Sequence, residues 1–167
     1  MAENFDEYKA RILKLVEGKD PVAVQSVTVA ELSRLVEGVA SETLTTRPTP
    51  DRWSVAEVLA HLSEAEISAF WRYRQIIEHD GCALAPYGQD LWASLGKYGT
   101  RDPRQSLEIF RLLRQVNLRM LDGLTEEQWR RKGVHAERGP MTVRDLALQL
   151  AGHDVNHLAQ IKAILGA

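Results

Sequence analysis

The chain has 167 residues, 44% of them hydrophobic and 26% charged, the make-up of one globular domain with a substantial core. Lysine and arginine total 21 against 23 acidic residues, and a net charge of −2 supplies no basic field for nucleic acid. A single cysteine, Cys82, excludes an internal disulfide, no apolar run is long enough for a membrane, and the charged N-terminus lacks the apolar centre of a signal peptide; a cytoplasmic protein is expected.

Helix signals dominate. Asn4 and Glu7 form a capping-box pattern ahead of Phe5, Tyr8, Ile12 and Leu15, which recur at helical spacing. Thr28 with Glu31 predicts a second helix, with Leu32, Leu35, Val36 and Val39 as its apolar face. Residues 1–27 then read as an N-terminal helical extension and 28–167 as the bundle of a single domain, 1–167. The two prolines of TTRPTPD (45–51) break the pattern. Ser54 with Glu57 caps a long helix to about His79, apolar at Val55, Val58, Leu62, Ala69, Phe70 and Ile76. The connection from Asp80 to Arg101 is expected to hold a helical turn near Asp90–Leu95 and, at its length, to lie over a site.

Asp102, Pro103 and Gln105 open another helix, expected to bury Ile109, Leu113, Val116 and Met120 and to stop at Gly123. Thr142 with Asp145 starts the last helix, which runs to about Leu165. Strand signals are poor; RKGVHAERGPMT (131–142) is expected to hold one short extended segment at most. The fold class is all-α, a four-helix bundle with a long crossover connection.

Within the last helix, GHDVNHLAQI (152–161) places His153 and His157 four apart, so their imidazoles lie one above the other. They border the apolar stripe of Val143, Leu146, Leu150, Leu158 and Ile161. Such a pair suits a metal ion or two partly buried histidines bonded to their surroundings. His61, in RWSVAEVLAHLSEAE (52–66), shares a helix face with Val58, Ala65 and Ser68 and also points inward. Gly152 would allow another helix close to His153. Three histidines from two helices, with coordination positions left open, is the pattern of a catalytic metal site.

Around this trio, Glu64 stands one turn from His61 and reads mainly as a solvated helix charge. Asp154 reads as a salt-bridge partner or a contact behind the ligands, and Gln149 and Gln160 flank the stripe where they could orient imidazoles. His79 fits the helix dipole, and His135 reads as a surface residue.

The motifs RWSVAEVLAHL and ERGPMTVRDLALQLAGHDVNHLAQI, in that order, resemble the DinB-like family of helical bundles, from about Val29 to Leu165. The resemblance implies a four-helix bundle whose metal is held by one histidine after the Trp-Ser motif and two of the last helix, matching His61, His153 and His157. It also implies kinship with thiol-dependent S-transferases and mycothiol-dependent maleylpyruvate isomerases, hence a low-molecular-weight thiol as cosubstrate, and a homodimer. Zinc, nickel and iron all accept imidazole, so the residues do not choose among them. The expectation is a metal-dependent transferase or hydrolase that activates a thiol or water. The alternative is a non-catalytic metal-binding or structural bundle.

Overall fold

The computed structural model describes residues 4–167. In chain order the elements are α1 (Phe5–Lys14), α2 (Pro21–Val36), the short α3 (Ser41–Thr45), α4 (Val55–Glu78), β1 (Cys82–Leu84) and α5 (Gln89–Leu95). Then come α6 (Pro103–Asp122), the short α7 (Glu126–Arg130), β2 (Lys132–His135), β3 (Gly139–Thr142) and α8 (Val143–Leu165).

The long helices α2, α4, α6 and α8 form a four-helix bundle. α4 packs on α6 and α8, and α2 packs on the same two, so α2 stands diagonal to α4 and α6 diagonal to α8. Both diagonal pairs are consecutive long helices, so their links cross the bundle ends instead of turning back on a neighbour. Helix starts follow local chemistry. Asn4, Ser54 and Thr142 each accept from the backbone three residues on, and Glu7, Glu57 and Asp145 return the bond. No helix among the described residues is long and apolar enough to cross a membrane.

Three expectations change. α2 begins at Pro21, not at Thr28: Asp20 accepts from the N–H groups of Val22 and Ala23, with proline in the first turn. The boundary expected at residue 28 therefore falls inside a helix, and the Thr28 hydroxyl is freed for a tertiary bond. The buried face of α6 is Ser106, Phe110, Arg114, Asn117 and Leu121, whereas Ile109 and Val116 are 39% and 41% exposed. Periodicity alone chose the more apolar stripe, but Arg114 and Asn117 face inward because buried acids on other helices receive them. Finally, 131–142 holds two strands, not one segment, and these join β1 in a three-stranded sheet. β1 runs parallel to β2 in the register Ala83 to Val134, and β2 pairs antiparallel with β3. Strands of three or four residues are too short to show alternation.

One apolar cluster is built on Leu32, Leu59, Leu62, Phe110 and Ile161, and the other on Tyr73, Ile76, Leu84, Leu121 and Met141. α1 lies against α8. A β-carbon on Gly152 would meet the Ile12 carbonyl oxygen and stand 2.8 Å from its carbon, so only glycine permits this approach.

Candidate metal centre

His61 projects from α4, and His153 and His157 from successive turns of α8. The three Nε2 atoms converge: His61 and His153 are 2.8 Å apart, and His153 and His157 3.1 Å. Nitrogens about 2.0–2.1 Å from one ion lie about 3 Å apart at angles from square to tetrahedral, which is the spacing seen here. Among the described residues no cysteine or carboxylate joins the three as a fourth ligand.

The protons make the same point. Gln160 Oε1 lies 2.8 Å from His157 Nδ1 and, as an acceptor, fixes that proton on Nδ1 and leaves Nε2 as a lone pair. Burial, then repulsion from His157, pushes the His61 pKa down to about 3; burial takes His157 to about 4 and His153 well below its ordinary value. All three are therefore neutral at physiological pH. Neutral imidazoles with nitrogens aimed at one another cannot all find donors within the trio, and a cation among them would satisfy all three.

Behind the ligands lies a buried ionic knot. Arg114 on α6 donates through Nη1 to Asp154 Oδ2 at 2.5 Å and through Nη2 to Asp154 Oδ1 at 3.0 Å and Glu66 Oε1 at 2.8 Å. Thr28 donates to Asp154 at 2.9 Å and Asn117 to Glu66 at 2.9 Å. Burial pushes the Asp154 carboxyl up, and Arg114 draws it back; burial alone would lower Arg114, but Asp154 and Glu66 hold it charged. Asp154 thus ties α8 to α2 and α6, one residue from His153, and its oxygens are occupied there. Glu64 is not a solvated charge: it accepts from Arg101 at 2.5 Å and from the Tyr98 hydroxyl at 3.0 Å. Tyr98 packs edge-on against Trp53, whose ring lies 5.3 Å from that of His61.

The histidines open onto a cavity of about 410 Å³ between α1, α4 and α8. Gln149 lines it with its side-chain nitrogen buried and without a partner. Sequence reading missed Arg72 and Arg138 in the wall, together with Tyr87 from the long connection and the cover supplied by α1. Arg72 carried a signal: it lies eleven residues, three helical turns, beyond His61 on the same face as Ala65 and Ser68. His135, expected at the surface, is 1% exposed and touches Arg72. His79 is exposed beside Glu78.

The DinB superfamily model matches residues 26–161. The chain belongs to the DinB superfamily. Among curated members, this DinB chain is 28% identical over 157 residues to the Bacillus subtilis protein named "Putative metal-dependent hydrolase YfiT", covering 93% of this chain and 88% of that one. A Geobacillus kaustophilus protein of the same description is 28% identical over 137 residues, 81% of this chain and 76% of its own. The solved structure of YfiT, described as having an unusual four-helix bundle topology, superposes with a TM-score of 0.80 at 24% identity, covering 86% and 83% of the two chains. The likeness to that structure is one of fold.

Proposed function

We propose that His61, His153 and His157 hold a divalent metal ion through Nε2 and that the protein is a metal-dependent hydrolase of a small molecule. The observation that carries this is the convergence of three neutral imidazole nitrogens, with no fourth protein ligand among the described residues, at the wall of a cavity. A closed structural site would use a fourth side chain. The names of the curated relatives favour hydrolysis over other metal chemistry. A bound divalent ion would lower the pKa of a coordinated water or thiol toward neutrality, since imidazoles bring no charge to offset its own.

The chain's residues do the remaining work. Gln160 holds His157 in the tautomer that presents Nε2. The Arg114 knot fixes the turn of α8 that carries His153. Ile12 of α1 and Leu150 of α8 give the cavity apolar walls that limit water around the reacting group. Zinc, nickel and iron(II) all suit the donor set. A second reading, transfer of a low-molecular-weight thiol, rests on the resemblance and uses the same ligands.

The test is to strip the protein with chelator, restore zinc, nickel or iron(II) separately, and screen ester and amide hydrolysis beside thiol conjugation with bacillithiol and mycothiol. Metal-dependent hydrolysis that is lost in His157→Ala is expected. Thiol conjugation without hydrolysis would favour the second reading. Full metal binding without either activity would favour a structural bundle.

A further inference from the structure

The cavity beside the histidines has unmet hydrogen-bond donors and a surplus of positive charge. Arg72, 7% exposed, donates through Nη2 to the Ala85 carbonyl at 2.9 Å and stacks toward Tyr87, and its Nε and Nη1 have no protein acceptor among the described residues. Its other contact, His135 Nε2 at 3.3 Å, is compromised because His135 Nδ1 already accepts from the Glu137 N–H, and a neutral imidazole has one acceptor. Arg138, on the turn between β2 and β3, lies 4.0 Å over the Phe5 ring and has no ion pair or hydrogen bond among the described residues. Burial pushes Arg72 down, Tyr87 opposing the shift and Arg138 adding to it, and burial does the same to Arg138, which Tyr87, exposed Glu137 and Tyr8 only partly offset. The buried Gln149 nitrogen lines the same space without an acceptor.

Buried guanidinium groups are ordinarily paired. Here the fold brings two guanidinium groups, buried Arg72 and half-buried Arg138, to one cavity from distant elements, α4 and the β2–β3 turn, and pairs neither with a carboxylate among the described residues. What Arg72, Arg138 and the Gln149 amide lack among the described residues is acceptor atoms. We propose that the cavity takes a small molecule bearing an oxyanion group, a carboxylate or a phosphate, gripped by Arg72 and Arg138 while its reacting end lies at the three histidines. Planar guanidinium forks match both groups. Ala65, Ala69, Leu146 and Leu150 also line the cavity, so the body of the molecule is compact and apolar. The placement of the reacting end rests on the proposed metal centre; the anion grip does not.

The test titrates full-length, metal-loaded protein with hexanoate, inorganic phosphate and neutral hexanol, for wild type, Arg138→Gln, Arg138→Lys and Arg72→Gln. Metal content and melting temperature are measured on each. Saturable binding of an anion but not of hexanol is expected. Arg138→Gln should weaken it about tenfold or more with metal and melting temperature unchanged, and Arg138→Lys should weaken it less. Whichever anion binds more tightly identifies the group. Failure of both anions to bind wild type, or wild-type affinity in both glutamine variants, overturns the proposal. Arginine-dependent binding in protein that takes up no metal would leave the grip standing and remove the metal reading; metal uptake with arginine-independent binding would do the reverse.

Discussion

Replacing Arg114 with methionine should be among the most damaging single changes in the chain. Arg114, Asp154 and Glu66 each have side chains 1% exposed, and the guanidinium makes three charge-assisted bonds to the two acids. Methionine fills much of the volume but leaves two carboxylates in the bundle with no cation. Breaking a buried ion pair from one side costs about 3–5 kcal/mol, out of about 5–15 kcal/mol for a whole domain. For a chain of this size that corresponds to a fall of about 6–20 °C in melting temperature. Urea and thermal unfolding followed by circular dichroism would measure it. The sign with pH is fixed too. A buried carboxylate without a partner binds its proton more readily folded than unfolded, so the gap between mutant and wild type should narrow as pH falls toward 5. A loss under about 1 kcal/mol, or a gap that does not narrow in acid, would refute the view that this pairing holds the helices in register.

Gly152→Ala should destabilise the protein although alanine is the better helix former by about 1 kcal/mol, because the new methyl meets Ile12 backbone and overpacking of this kind costs about 1–3 kcal/mol. Faster amide exchange in α1 would accompany it, and a variant as stable as wild type would contradict the close approach. Metal-free wild type should lose stability as pH drops from about 6.5 toward 4, by up to about 1.4 kcal/mol per pH unit for each buried histidine, because the unfolded chain takes up protons that the folded cluster refuses. Flat stability across that window in unfolding titrations would show the imidazoles to be accessible. A homodimer is proposed from the apolar side chains left exposed on α4 (Ile67, Trp71) and α6 (Ile109, Leu112, Val116); light scattering should give twice the chain mass, reduced by Trp71→Glu, and a one-chain mass in wild type would remove the idea.

What could be read in the sequence was what short-range chemistry decides. Capping boxes at Asn4, Ser54 and Thr142 mark helix starts within a residue, and the i, i+4 spacing of His153 and His157 puts both rings on one face whatever packs against it. Convergence with His61, 92 residues away, was legible only because its inward face and the family motifs agreed. The α6 register failed for the opposite reason. Whether Arg114 or Leu113 faces inward depends on Glu66 and Asp154, which are 48 and 40 residues distant, and no local pattern reports a partner that far along the chain. The sheet escaped because β1 pairs with a strand far along the chain, and because the local β2–β3 hairpin has strands too short to show alternation. His135 escapes with it, since its place on β2 turns the ring inward against Arg72 of α4.

The most direct measurement is metal content by elemental analysis of protein purified without an affinity tag, wild type beside His153→Ala. Near one equivalent of a divalent transition metal per chain is expected in wild type and little in the variant, with the fold retained. Equal metal in both, or none in wild type and no uptake of added zinc, nickel or iron(II), would contradict the three-histidine metal site.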